Sequence, residues 1–296
     1  MCRHPFAARI VRIICALVLL PWLLGGCSLL RMTYPQLPTI AYWWLDGYVD
    51  FSAAQTRRAQ EQLGDWLRWN RSTQLVDYAA LLQRARAEVL VDTTPARTCQ
   101  WFDDVMARAM TGFEQGLPAA AEIALTLSPE QMEHLQHRFD KRNADLRDDF
   151  LQPTREQRLK ESTRRIVERA ESLYGRLDDE QREAIARGVA ASPFDPERWI
   201  LEQQQRQRDL VDTLRRLQAE SASNEQMQAA LRMLAERAQR SPSESYRAYQ
   251  RRLTQYNCAF AARIHNQTTP AQRQAAAATL GGWEADLRAL AAEPVR

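Results

Sequence analysis

Residues 154–177, TREQRLKESTRRIVERAESLYGRL, decide the fold. Thr154 and Gln157 form a capping box. In it the hydroxyl accepts a backbone N–H three residues on and the amide reaches back, so two donors stranded at a helix start are satisfied together. Behind the box, Leu159, Thr163, Ile166, Ala170, Leu173 and Leu177 step 4-3-4-3-4, the apolar stripe of a helix that packs one face against a neighbour. The same grammar recurs outward in both directions. Boxes stand at Ser52/Gln55, Ser128/Gln131, Asp178/Gln181, Ser223/Gln226, Ser241/Glu244 and Thr269/Gln272, and Pro follows Thr94, Ser128, Asp195, Ser241 and Thr269, where a first helical residue needs no N–H. These signals predict helices over 36–48, 53–71, 74–92, 95–115, 129–151, 155–176, 179–190, 196–219, 224–239, 242–266 and 270–292, with a weaker one over 118–125. No alternating apolar pattern is present. The expected fold is all-α: an elongated multi-helix bundle of about eleven helices, with no sheet.

The first residues read differently. Arg3, Arg9 and Arg12 precede an apolar run over 13–24, and no acid occurs before Cys27. The run is about half the length a spanning helix needs, so it reads as a secretory signal. It ends Leu24-Gly25-Gly26-Cys27, the bacterial lipobox, which predicts cleavage before Cys27 and lipid attachment to that thiol. Several acyl chains give stable anchoring where one does not. Ser28 stands where an Asp would mark inner-membrane retention. The organisation expected is a lipoprotein signal peptide (1–26), a tether (27–40) and a single helical periplasmic domain (41–296), lipid-anchored in the outer membrane.

Cleavage removes three Arg and no acid, taking 40 Lys+Arg to 37 against 37 Asp+Glu. The pI near 8.7 therefore belongs to the uncleaved chain, and basicity is no argument for a nucleic-acid partner. No Gly-rich phosphate loop, GxSxG, HExxH or CxxC occurs. No catalytic residue and no cofactor is expected. Cys99 and Cys258 are the pair left beyond the lipobox, and in an oxidising compartment an even pair suggests a disulfide. Such a bridge would set the 95–115 and 242–266 helices antiparallel, with Asp103 and Asp104 within a turn of Arg251 and Arg252.

Three strings, Tyr42-Trp43-Trp44-Leu45-Asp46-Gly47-Tyr48, Leu173-Tyr174-Gly175-Arg176-Leu177-Asp178 and Tyr256-Asn257-Cys258-Ala259-Phe260, resemble an uncharacterised, domain-of-unknown-function family of Gram-negative bacterial lipoproteins. The resemblance extends over nearly the whole mature chain. It implies a lipobox, an all-helical body and a periplasmic address, and no activity. A looser similarity is to periplasmic helical chaperones with Leu-Thr-x-x-Gln helix starts; Leu127-Ser128-Pro129-Glu130-Gln131 is the nearest string, with Ser in place of Thr.

Four constellations remain. Tyr42, Trp43, Trp44, Tyr48 and Phe51 either pack as a first core helix or sit at a membrane surface, which Trp and Tyr favour; packing is the expectation, with one Trp left outside. Glu130, His134 and His137 share a helix face and could ligate a divalent metal, but no fourth ligand is identifiable, so a solvated face is expected and no metal. Arg247, Arg251 and Arg252 have one nearby acid, Glu244, and form a candidate anion or partner patch unless another helix neutralises them. Residues 202–209, EQQQRQRD, carry no apolar side chain for two turns, so that helix should project or cross a wet groove, with Gln203 and Gln207 exposed. The reading as a whole is a non-catalytic interaction or chaperone-like module of the cell envelope, bound to the membrane by its lipid and to a protein or envelope partner. The alternative is a carrier of a lipid or other small amphiphile; a metal-dependent enzyme through His134 and His137 ranks last.

Overall fold

The computed structural model describes residues 33–293. The leader and the anchor expected at Cys27 lie outside them. A 3-10 turn, Tyr34–Gln36, leads into α1 (Leu37–Val49). Then follow α2 (Ala53–Trp69), a π turn (Asn70–Gln74), α3 (Leu75–Glu88), α4 (Pro95–Ala124), α5 (Pro129–Phe150) and α6 (Arg155–Tyr174). The chain ends with α7 (Asp179–Ala190), α8 (Pro196–Ala219), α9 (Asn224–Gln239), α10 (Glu244–Asn266) and α11 (Pro270–Ala292). The fold is all-α, and the described residues contain no strand.

Most starts fall where the caps place them, and four details differ. The described residues are helical from Thr33 onward, inside the expected 27–40 tether, and the Tyr34 ring is buried against Leu75 and Leu290. The helices expected at 53–71 and 74–92 are one run, joined through the π turn without a break. Those expected at 95–115 and 118–125 are a single α4 that passes through Pro118. Pro costs a helix one hydrogen bond, but Leu117 and Ala121 on either side are fully buried and packing holds the helix together. Finally, α10 is capped by Ser243, not Ser241. Ser241 is buried and accepts the Ser243 N–H instead.

α4 is the central rail, 30 residues and so about 45 Å long. The α2–α3 run lies antiparallel along one side of it. Arg58 bridges Glu122, the Trp66 indole donates to Gly112 O (2.9 Å), Arg108 bridges Asp77, and Arg84 bridges Asp104. α9 and α10 follow one another along another side: Arg232 bridges Glu114, and Thr93 N donates to Asn266 Oδ1 (2.9 Å). Cys99 and Cys258 form the disulfide between α4 and α10, with Cα atoms 5.3 Å apart. α11 runs antiparallel on α3, where Arg71 donates to Leu290 O and Arg288 to Gln83. The apolar interior is divided. One cluster joins the C-terminal half of α4 to α5, α8 and α9; another lies between α3 and α11, and a third among α6, α7 and α10.

Two pairs of helix starts meet head to head. At the first, Gln55 Nε2 donates to Gln131 Oε1 (3.2 Å) and Gln131 Nε2 returns a bond to Gln55 Oε1 (2.8 Å). Each amide also donates to the carbonyl two residues before the other's cap, Thr126 O and Asp50 O, and accepts its own cap's N–H. At the second, Gln181 and Gln272 repeat the exchange (2.8 and 2.9 Å), with Gln267 O and Arg176 O as the carbonyls. All four amides thus use both N–H groups and both lone pairs. The chain enters the second junction through Gly175, whose φ of +76° ends α6 in a conformation that costs glycine little.

Candidate functional site

Between α5 and α8 the apolar packing gives way to a polar groove of about 310 Å3. Gln136, Phe139, Asp140 and Asn143 recur at three or four residues along α5; Gln204, Gln207, Arg208, Val211, Asp212 and Arg215 do so along α8. Each set therefore shares one helix face. Of the lining residues, Val211 belongs to the large apolar cluster and Phe139 packs against it, so the groove has an apolar floor and polar walls.

Asn143 is its deepest polar group, 6 % exposed. Its Nδ2 donates to Gln207 Oε1 (2.7 Å), while its Oδ1 is buried and meets no donor. Leaving a buried acceptor unmatched costs on the order of 1–3 kcal/mol, so a donor entering the groove would stabilise this atom. At the rim Arg215 donates to Gln136 Oε1 (3.2 Å) across the groove. Asp140 and Asp212 balance Arg208 and Arg215 in formal charge. The 202–209 stretch does cross a polar groove, but it is not a free face. Gln203 and Gln207 are both half-buried, and Gln207 holds Asn143. Arg206 turns the other way, to Glu202 (3.5 Å) and over the Tyr246 ring.

A second groove, about 640 Å3, lies between α3 and α11. Ala87, Leu90, Ala277, Ala278 and Gly281 line it, with Gln83, Arg86 and Gln274 at the edge.

The other sequence-selected residues do not gather into a site. Arg247 donates to Ser241 O (2.8 Å) and Pro242 O (2.7 Å), closing the turn before α10. Arg251 and Arg252 are exposed. Of the two carboxylates expected to answer them, Asp103 is exposed and pairs with neither, and Asp104 bridges Arg84; Asp104 lies five residues beyond Cys99, hence about 140° around α4, and faces α3. Glu130 accepts the Ser128 hydroxyl (2.7 Å), which holds its carboxyl below the ordinary range. His134 Nε2 lies 3.3 Å from Gly47 O and seats α1 on α5, and His137 is exposed. Among the described residues no three His, Cys, Asp or Glu side chains are placed to hold a metal.

His265, near the C-terminus of α10, is buried. Its Nε2 donates to Val91 O (2.7 Å) and its Nδ1 faces the Tyr174 hydroxyl (2.9 Å). Burial pushes the Tyr174 phenol up to about 12. The aromatic cluster divides. Tyr42 stacks on Phe51 and Tyr48 packs against Phe139, whereas Trp43 and Trp44 are 71 % and 63 % exposed. Both, not one, stay largely exposed.

Residues 47–247 match a family described as a family of unknown function (DUF6279). The chain belongs to this family. The DUF6279 match takes in both walls of the α5–α8 groove and the first glutamine junction. The second junction's Gln272 and the bridge's Cys258 lie beyond it. Of the three strings that carried the resemblance, only 173–178 falls wholly within the match. No curated protein and no solved structure matches the chain.

Sequence reasoning pointed to α8 through its missing stripe, but not to Asn143. An Asn on an otherwise helical face carries no signal of burial, and the nearest hint is its four-residue spacing from Phe139.

Proposed function

We propose that this chain is an outer-membrane lipoprotein, anchored at Cys27 and facing the periplasm, whose helical body is a non-catalytic interaction or chaperone-like module. The α5–α8 groove is its docking face. One observation carries the reading: Asn143 Oδ1, buried without a donor at the base of a cleft walled by amides and balanced charges. A partner segment bearing N–H or O–H groups would satisfy that oxygen and pair along the walls. Binding sites are commonly built this way, from an apolar floor and a few convergent polar groups.

A photo-crosslinker placed at Gln204 in cells should give a discrete adduct with an envelope component, and Asn143→Leu should abolish it. The same probe at Gln226, on the exposed start of α9, should give none. Equal adducts from both positions, or an adduct indifferent to Asn143→Leu, would refute the docking face. The anchor is tested separately: labelling with a palmitate analogue should disappear in Cys27→Ala.

The amphiphile-carrier reading has its own support in the α3–α11 groove, where small apolar side chains meet the Arg86 guanidinium. Organic extraction of the purified chain should then release a stoichiometric lipid, and its release should fall in Ala278→Trp.

A further inference from the structure

We infer that Ile40, Trp43 and Trp44 form a membrane-seating face, which lies in the headgroup layer of the bilayer that holds the lipid on Cys27. The inference rests on the lipoprotein reading and adds to it an orientation of the body.

α1 buries none of its residues fully. Ile40, Trp43 and Trp44 are 46 %, 71 % and 63 % exposed. At about 100° per residue the two indoles flank Ile40 within an arc of about 100°, a narrow and continuous apolar face. The other sides of α1 are occupied: Tyr42 bonds Thr56 Oγ1 (3.1 Å) and Tyr48 packs against Phe139. The indole N–H groups tell the same story. Those of Trp66 and Trp101 find Gly112 O and Glu88; those of the other five described tryptophans meet no acceptor among the described residues, and of these five Trp43 and Trp44 are the most exposed. An amphipathic ring with a free N–H suits the interface between water and acyl chains.

Position and charge select the occupant. Between Arg31 and Asp46 the chain has no charged residue. Thr33 lies six residues beyond Cys27, a reach of at most roughly 21 Å, and Leu37 to Trp44 adds about 10 Å of helix. The face is therefore held beside the membrane by its own anchor. A second exposed apolar set, Phe102, Val105 and Met106 on α4, lacks both features: Asp103 and Asp104 interrupt it, and it follows the anchor by more than 70 residues. Seating α1 would also bring the α5–α8 groove toward the bilayer. The rings of Trp44, Tyr48 and Phe139 run from the seating face to the groove wall in contacts of 5.1 and 6.1 Å.

The test uses the mature lipidated chain in vesicles of phosphatidylethanolamine and phosphatidylglycerol with brominated acyl chains. Bromine should quench part of the tryptophan emission. In Trp43→Phe/Trp44→Phe that quenched part should vanish, leaving the emission of five of the seven tryptophans after Cys27 while the chain still floats with the vesicles. Quenching equal in wild type and double variant, with both floating, overturns the seating face and leaves the anchor standing. A wild-type chain that fails to float overturns the anchor, and the face with it.

Discussion

The glutamine junctions and the α5–α8 groove are both amide-rich regions inside a helical bundle, yet they are built to opposite ends. At the junctions Gln55 meets Gln131 and Gln181 meets Gln272 reciprocally, and each amide finds partners for all of its donors and acceptors. In the groove Asn143 is buried as deeply, but only its nitrogen is matched. A satisfied buried network stiffens the structure around it, and an unsatisfied one stores a demand for a partner. Amide content alone does not separate the two; reciprocity does.

The contrast can be broken from the frame inward. Cys99→Ala/Cys258→Ala opens a loop of 159 residues, worth about 4 kcal/mol after allowance for native relaxation. Denaturant unfolding should show the loss. Hydrogen exchange should rise more at Gln181–Gln272, whose loop leaves α10, than at Gln55–Gln131. Next, Gln181→Ala strands the Gln272 amide and the Gln267 carbonyl, a loss of about 3 kcal/mol, with Gln55→Ala comparable. Gln226→Ala removes an identical local box that is exposed and unpaired, and should cost less than about 1 kcal/mol. Equal losses at Gln181 and Gln226 would show that the reciprocal pairing contributes nothing.

Beside the second junction, Tyr174 offers a pH test. Its folded pKa of about 12 lies above the ordinary 10, so the unfolded chain gives up this proton first. Stability from this group is intact below pH 10 and drains away as pH rises toward 12, by about 1 kcal/mol at pH 11. Tyr174→Phe should flatten that part of the pH–stability curve. The smallest effects belong to the groove. Gln207→Ala frees Asn143 Nδ2 and should cost about 1 kcal/mol, while Gln203→Ala should change stability by less than about 0.5 kcal/mol.

Capping is a local device, so helix starts were legible in sequence: the boxes at Ser52, Ser128, Thr154, Asp178, Ser223 and Thr269 all form. Which boxes meet was not legible, because the Gln that closes a box says nothing about the helix arriving opposite. Ser241 shows the limit from the other side, since burial removed it from the cap and Ser243 replaced it. The bridge followed from cysteine parity. The charge pairing built on it failed because residue count along a helix gives height, whereas partner choice depends on the angle around it, and Asp104 faces Arg84. EQQQRQRD announced a polar surface but not its owner, because Asn143 sits 64 positions from Gln207.

The Cys99–Cys258 bond encloses everything from α4 through most of α10. The flanks outside it close on each other, with α3 against α11 and Tyr34 against Leu290. A protease that nicks any linker within the ring, such as 191–195, therefore cuts the backbone without releasing a fragment: the two pieces stay covalently joined and migrate as one molecule until reduced. A nick between α10 and α11 has no such safeguard, and only side-chain packing retains the last helix. The bond makes most of this body tolerant of a single cut.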